Sequence, residues 1–370
     1  ANTLTLSGDN TYTGGTNIIA GILSISATSN LSSVFSVTID GGTLLSTGAV
    51  TLNKAISIGA GGGTIAAASG QTLTASGIIS GSGALTVGSA TNTGTVVFGN
   101  ASNALTGGTT INTGTLSISA AGNLGTAASN AINLTNGGTL VSAGTTTIAN
   151  NISIGAGGGT IAAASGQTLT ANGVISGSGA LTVGSAGNTG IVALSGANTY
   201  TGSTTISAGT LQLNPGGTIS SSSSIINNAA LVYANNIVNT ANGVTGSGTI
   251  GVNSGSTLQL TGALGTTGLV TINTGGVLDL NGQSNTGAIS LSGTGISSAG
   301  ALINSSATAA TQSGDVTLAG ATSIGGTGNI TISGIISGSN ALTKVAANTL
   351  TLSGANTYTG STTISAGTLQ

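Results

Sequence analysis

Six side chains carry all the formal charge in this 370-residue sequence: Asp9, Asp40, Asp279 and Asp315 against Lys54 and Lys344. There is no His, Cys, Met or Trp, and also no Glu or Arg. General acid–base chemistry needs paired titratable groups, and glycoside cleavage in particular needs two carboxyls at a defined separation. Asp279 stands between Leu278 and Leu280, so strand alternation points it outward onto a solvated face, and Asp315 in SGDVTLAG has no acidic neighbour. A serine nucleophile would lack its histidine base. Without cysteine or histidine there is no thiolate or imidazole to ligate a metal. No catalytic, cofactor-binding or metal-ligating residue is assigned.

Two lysines also exclude other partners. Nucleic-acid binding rests on a clustered basic patch, and attraction to anionic lipid on a polybasic one. No run approaches the roughly 18 apolar residues of a spanning helix. The run Gly246–Gly251, GSGTIG, fits the letters of a dinucleotide fingerprint, but no helix pattern follows it, so it reads as a turn. GAGGGT, from Gly59, lacks the aspartate of calcium-binding repeats and reads the same way.

What must position these residues is a repeat. The run ISIGAGGGTIAAASGQTLTASGIISGSGALTVGSA beginning at Ile56 returns, with two substitutions, at Ile152, an offset of 96. These duplicated modules lie near 53–90 and 149–186. A second motif recurs four times, as LTLSGDNTYTGGTNIIAGILSIS, VVFGNASNALTGGTTINTGTLSIS, VALSGANTYTGSTTISAGTLQL and LTLSGANTYTGSTTISAGTLQ. The copies show which charges are dispensable. Asp40 aligns with Asn136, Asp9 with Ala197 and Ala355, and Asp279 with Ser117. Lys54 aligns with Asn150, and Lys344 with Val87 and Val183. Tyr12, Tyr200 and Tyr358 share one motif position with Leu105, an exchange that fits a packed corner better than a sugar-stacking platform. Tyr233, Phe35 and Phe98 read as core.

Apolar residues alternate within each copy, as in Leu4 and Leu6 or Leu350 and Leu352, and the period of two predicts strands. Glycine turns close these runs after four to six residues, 67 glycines serve the chain, and Pro215 is its one proline. Apolar content of 38% with 2% charge argues against disorder. Near-identical short strands stack best on themselves, in parallel coils about 4.8 Å apart with like residues aligned in ladders. The expected fold is all-β, a right-handed parallel β-helix (β-solenoid) of roughly 15–18 coils, each of roughly 20–24 residues. It is read as one continuous segment over 1–370, a rod of roughly 70–90 Å, with ends cut from a longer array.

LTLSGANTYTGSTTISAGTLQ closely resembles the passenger-associated transport repeat of bacterial autotransporters. The resemblance implies a passenger exported across a Gram-negative outer membrane and displayed or released outside. Repeats without chemistry then point to an extracellular structural fibre, stalk or filament segment rather than an enzyme. The alternative is an adhesin that binds host or neighbouring-cell glycans or proteins through a Thr/Ser/Asn-rich face. The expected partners are other copies through end-to-end stacking, or a cell-surface ligand.

Overall fold

The computed structural model describes residues 2–31, 36–125, 130–219, 221–234, 238–241 and 243–370, and Phe35 lies outside them. The strands are short, most of two to five residues, and every pairing given for them is parallel, as in Thr3–Leu6 on Ile22–Ile25 and Ile330–Ile332 on Thr349–Leu352. The result is a parallel β-solenoid of about 17 turns, within the expected range. Helix is confined, among the described residues, to the 3-10 turns Thr28–Asn30, Ala121–Leu124 and Ile296–Ser298. None of these is long and apolar enough to cross a membrane.

The chain forms two compact units, Ala1–Gly202 and Ser203–Gln370. In the first, a nine-stranded sheet runs from Thr3–Leu6 to Ile175–Gly177. A five-stranded sheet runs from Thr16–Ile18 to Ala104–Leu105. A third sheet runs, within this unit, from Val50–Leu52 to Leu181–Val183. A fourth begins at Thr146–Ile148 and includes Thr168–Ala171 and Ile191–Leu194. Where every face carries a strand the chain winds over three faces in turn. Ile56–Ile58, Gly63–Ala67 and Thr72–Ala75 lie in the five-stranded, nine-stranded and third sheets. Thr146–Ile148, Ile152–Ile154 and Gly159–Ala163 lie in the fourth, nine-stranded and third, the fourth taking the place of the five-stranded sheet in the winding.

Alternation builds the interior. Ile65, Val87, Ile111, Leu134 and Ile154 form one column of directly stacked residues, all fully buried. In the second unit Leu258, Leu278 and Leu302 stack in the same way. Because a coil buries its aliphatic residues only against its neighbours, stability is carried by the contacts between coils. At one position a small residue in one coil makes room for bulk in the next: Phe98 lies between Ala75 and Ile118.

Coil length varies more than expected. Thr3 pairs with Ile22, 19 residues on, and Leu85 with Thr109, 24 residues on. The longest coil carries Ile289 to Val316, 27 residues on. Its extra residues form the exposed turn around Ile296–Ser298, where Ser297 and Ser298 adopt φ of 52° and 61°. The following strand, Val316–Gly326, is 11 residues long. It pairs with Ile289–Gly293 near its start and with Leu302–Asn304 near its end, turning a corner between them at a register shift.

Candidate functional site

The transport-like motif forms one coil whose last strand lies on its first. Leu4 stacks under Leu23 and Leu6 under Ile25, Val96 under Leu116, and Leu350 under Leu369. The corner between these strands is fastened by the motif asparagine. Asn103 Oδ1 accepts the Ile79 amide of the coil below at 2.8 Å, and its Nδ2 donates to the Asn123 carbonyl of the coil above at 2.7 Å. Asn198 Oδ1 accepts from Ile175 N at 2.8 Å, and Asn356 Oδ1 from Ile336 N at 2.9 Å. Asn10 Nδ2 donates to the Asn30 carbonyl at 2.9 Å. The amide thus stands in for the main-chain ladder where the backbone turns away. Asn103→Ala is expected to cost about 1–3 kcal/mol, because it leaves the buried Ile79 N–H without its acceptor. A urea titration checks this, and an unchanged midpoint would contradict the role.

At the shared aromatic position, Tyr200 and Leu105 are fully buried, in agreement with a packed corner. Tyr12 and Tyr358 are partly exposed, and each phenol hydrogen-bonds the threonine four residues on, Thr16 at 2.6 Å and Thr362 at 2.7 Å. Phe98 and Tyr233 are core residues.

The carboxylates serve separate turns. Asp40 is exposed and accepts from Gly61 N at 2.6 Å; Asp315 is exposed and accepts from Ile335 N at 3.0 Å. Asp9 is exposed. Asp279 departs from expectation, for it is 2% exposed rather than solvated. Its Oδ1 accepts the amides of Asn281 at 3.0 Å and Ser305 at 2.9 Å. Its Oδ2 accepts from Ser305 Oγ at 2.6 Å and Gln259 Nε2 at 2.9 Å. The side chain does leave the inner face of its strand, but the turn after Leu302–Asn304 folds over it and supplies the donors that replace water. Among the described residues, no three acidic side chains gather where a metal ion could be held.

Both lysines are buried, Lys54 at 7% and Lys344 at 0% exposure. Lys344 stacks between Ile324 and Ile364 in an interior column, the position at which the modules carry Val87 and Val183. Its Nζ donates to the carbonyls of Val345, Ala346 and Ala366 and to Asn348 Oδ1, the last at 2.8 Å. All four acceptors are neutral, and burial lowers the ammonium below the ordinary lysine value. Ala346, held by this contact, has φ of 66°, a conformation alanine seldom adopts. The Gly246–Gly251 run is the end of one strand and the start of the next, Val244–Gly246 and Thr249–Val252, with no helix.

The outward faces carry hydroxyls. Thr72, Thr95, Thr115, Thr139, Thr160 and Thr182 stack in register on the third sheet, each half-buried. A second file on the nine-stranded sheet passes through Thr43, Thr64, Thr86 and Thr110. An open cleft of about 310 Å³ at the first coil is lined by Leu4, Tyr12, Ile18, Ile19 and Leu23 and is mainly apolar.

A family model, the passenger-associated transport repeat, matches residues 1–25, 89–118, 187–213 and 342–370, the four copies of the motif. The chain is also similar to the adhesin BmaC autotransporter of Brucella suis biovar 1 (strain 1330), 40% identical over 83 residues. That match covers 22% of this chain and spans 2% of the length of the relative. No solved structure matches. The repeat family and this relative place the chain at the extracellular or outer-membrane surface of a Gram-negative bacterium.

Proposed function

We propose that this chain, an autotransporter passenger segment by its four transport repeats, is a structural stretch of a longer surface array: a stalk or fibre segment whose work is extension and persistence outside the cell. The observation that carries the reading is the use made of its scarce polar chemistry. The motif asparagines, Asp279 and Lys344 are spent on holding one coil to the next, and the exposed carboxylates Asp40 and Asp315 are each bonded to a turn amide. Nothing here is assigned to catalysis, and the repeat family and the adhesin relative support a structural or adhesive role.

An adhesive reading stands second, favoured by the in-register threonine file and by the relative's name. It would place a glycan or protein ligand across the Thr72–Thr182 face. Two measurements on the purified segment test the choice. Trypsin has its two specific sites at Lys54 and Lys344, both buried, so the folded segment is expected to survive digestion that cleaves the urea-unfolded chain at both. Rapid cleavage of the native segment at either lysine contradicts a sealed stalk. Binding to glycan arrays and cultured cells is expected to be non-saturable, and saturable binding lost on Thr115→Glu and Thr139→Glu favours the adhesin.

A further inference from the structure

The duplicated modules fold alike. Ile56–Ile58, Gly63–Ala67, Thr72–Ala75, Ile79–Gly81 and Leu85–Val87 return as Ile152–Ile154, Gly159–Ala163, Thr168–Ala171, Ile175–Gly177 and Leu181–Val183. Their turns match as well. Gly62 and Gly158 have φ of 74° and 71°, and the bridges Ser89–Asn92 and Ser185–Asn188 share an Asn Nδ2 to Ser Oγ bond of 2.9 Å. Gly81 and Gly177 both sit at positive φ where a Cβ would meet the carbonyl of Ile58 or Ile154 at 2.1 or 2.2 Å.

The copies nevertheless occupy different faces. Ile56–Ile58, Gly63–Ala67 and Thr72–Ala75 belong to the five-stranded, nine-stranded and third sheets. Ile152–Ile154, Gly159–Ala163 and Thr168–Ala171 belong to the nine-stranded, third and fourth. Every strand of the second copy has moved to the next sheet in the winding order. The buried columns give the reason. Four coils above Ile65 stands Ile154, 89 residues on, whereas the sequence counterpart of Ile65 is Ile161. The seven residues by which 96 exceeds 89 are the step from Ile58 to Ile65, one face to the next. The supporting strands turn with the module: Thr43–Ser46 on Ile22–Ile25 lies in the nine-stranded sheet, and Gly138–Ser142 on Thr115–Ile118 in the third.

We infer that the 96-residue block is the exchangeable length unit of this array, and that each added block advances the winding by four coils and one face. The faces accept the same strands because each column asks only for aliphatic residues on aliphatic residues, and the turn bonds stay within a block or reach an adjacent coil. Loss or gain of a block by recombination between the near-identical runs then changes length without breaking the fold. It also turns every outward file beyond the junction by one face, and because a coil of the module carries three strands, one to a face, three blocks restore the starting face. The inference rests on the stalk reading only in calling the block a unit of length, and the binding result leaves it untouched.

Deleting residues 65–160 from the full chain joins Thr64 to Ile161 inside sequence common to both copies. The shortened chain is expected to keep its strand circular dichroism and its resistance to trypsin. It should also gain a neighbour pair: Thr170 replaces Thr74 over Thr51, the native partner of Thr74. With Thr51→Cys and Thr170→Cys, in a chain that otherwise has no cysteine, a disulfide should form in the deletion variant and not in the full-length chain. Deleting residues 66–154 instead removes four whole coils and leaves the faces unturned, so that Thr51 comes under Ala162 and the same cysteine pair should not cross-link. The inference is overturned if the 96-residue deletion unfolds or fails to form the new cross-link. The cross-link forming equally in both deletions also overturns the one-face advance.

Discussion

Phe98→Ala is expected to destabilise the coils around it by about 3–5 kcal/mol, the usual cost of emptying a buried aromatic site. Phe98 is fully buried, and in its column it lies between Ala75 and Ile118. The small residue below makes the space that the ring fills, so truncation leaves a cavity with two alanines facing each other. The second module supplies an internal reference, because there Leu194 lies over Ala171. Phe98→Leu should therefore cost under about 1.5 kcal/mol. Energetics that run between neighbours confine the damage. Amides in Thr72–Ala75, Thr95–Phe98 and Thr115–Ile118 should exchange roughly a hundredfold faster or more, at about 1.4 kcal/mol per tenfold, while those in Leu302–Asn304 stay protected. Uniform loss of protection along the chain would contradict coil-by-coil stability.

The second large effect is expected at Asp279. One carboxylate accepts four hydrogen bonds from three successive coils, those of Gln259, of Asp279 itself and of Ser305. Bonds to a charged group are worth more than neutral ones, and losing them leaves buried donors unpaired. Asp279→Asn turns one oxygen into a donor that faces donors, and should cost about 2–4 kcal/mol. The exposed carboxylate of Asp315 is the comparison: it accepts one bond, from Ile335 N, and Asp315→Asn retains an acceptor for it. A urea series on both variants checks the contrast. Equal effects at the two sites would mean that the network around Asp279 contributes little.

Much of this architecture was legible in the residues. Alternation located the strands and the interior columns, because in a sheet residue parity decides which side a side chain takes. The motif copies located the corners, and the exchange of Tyr200 with Leu105 correctly marked a packed position. Other features lay beyond pattern. Parity sends Asp279 off the inner face but says nothing of a later turn, 26 residues on, that folds over it. Lys344 aligns with Val87 and Val183, and that alignment holds the signal that its side chain lies inside, against the usual exposure of a lysine. The face-to-face advance of the modules was hidden because a sequence period of 96 is not a whole number of coils, and coil lengths vary from 19 residues upward. The long coil ending at Val316 has no glycine or proline cue that ordinary turns lack.

Parallel stacking in register is the claim beneath all of these expectations, and paired cysteines test it directly. Thr115 faces Thr139 on the outer file, about one strand spacing away, whereas Leu140, one residue on, points into the core. Thr115→Cys with Thr139→Cys should form a disulfide rapidly under mild oxidation, and Thr115→Cys with Leu140→Cys should not. Cross-linking of the second pair and not the first would contradict the solenoid.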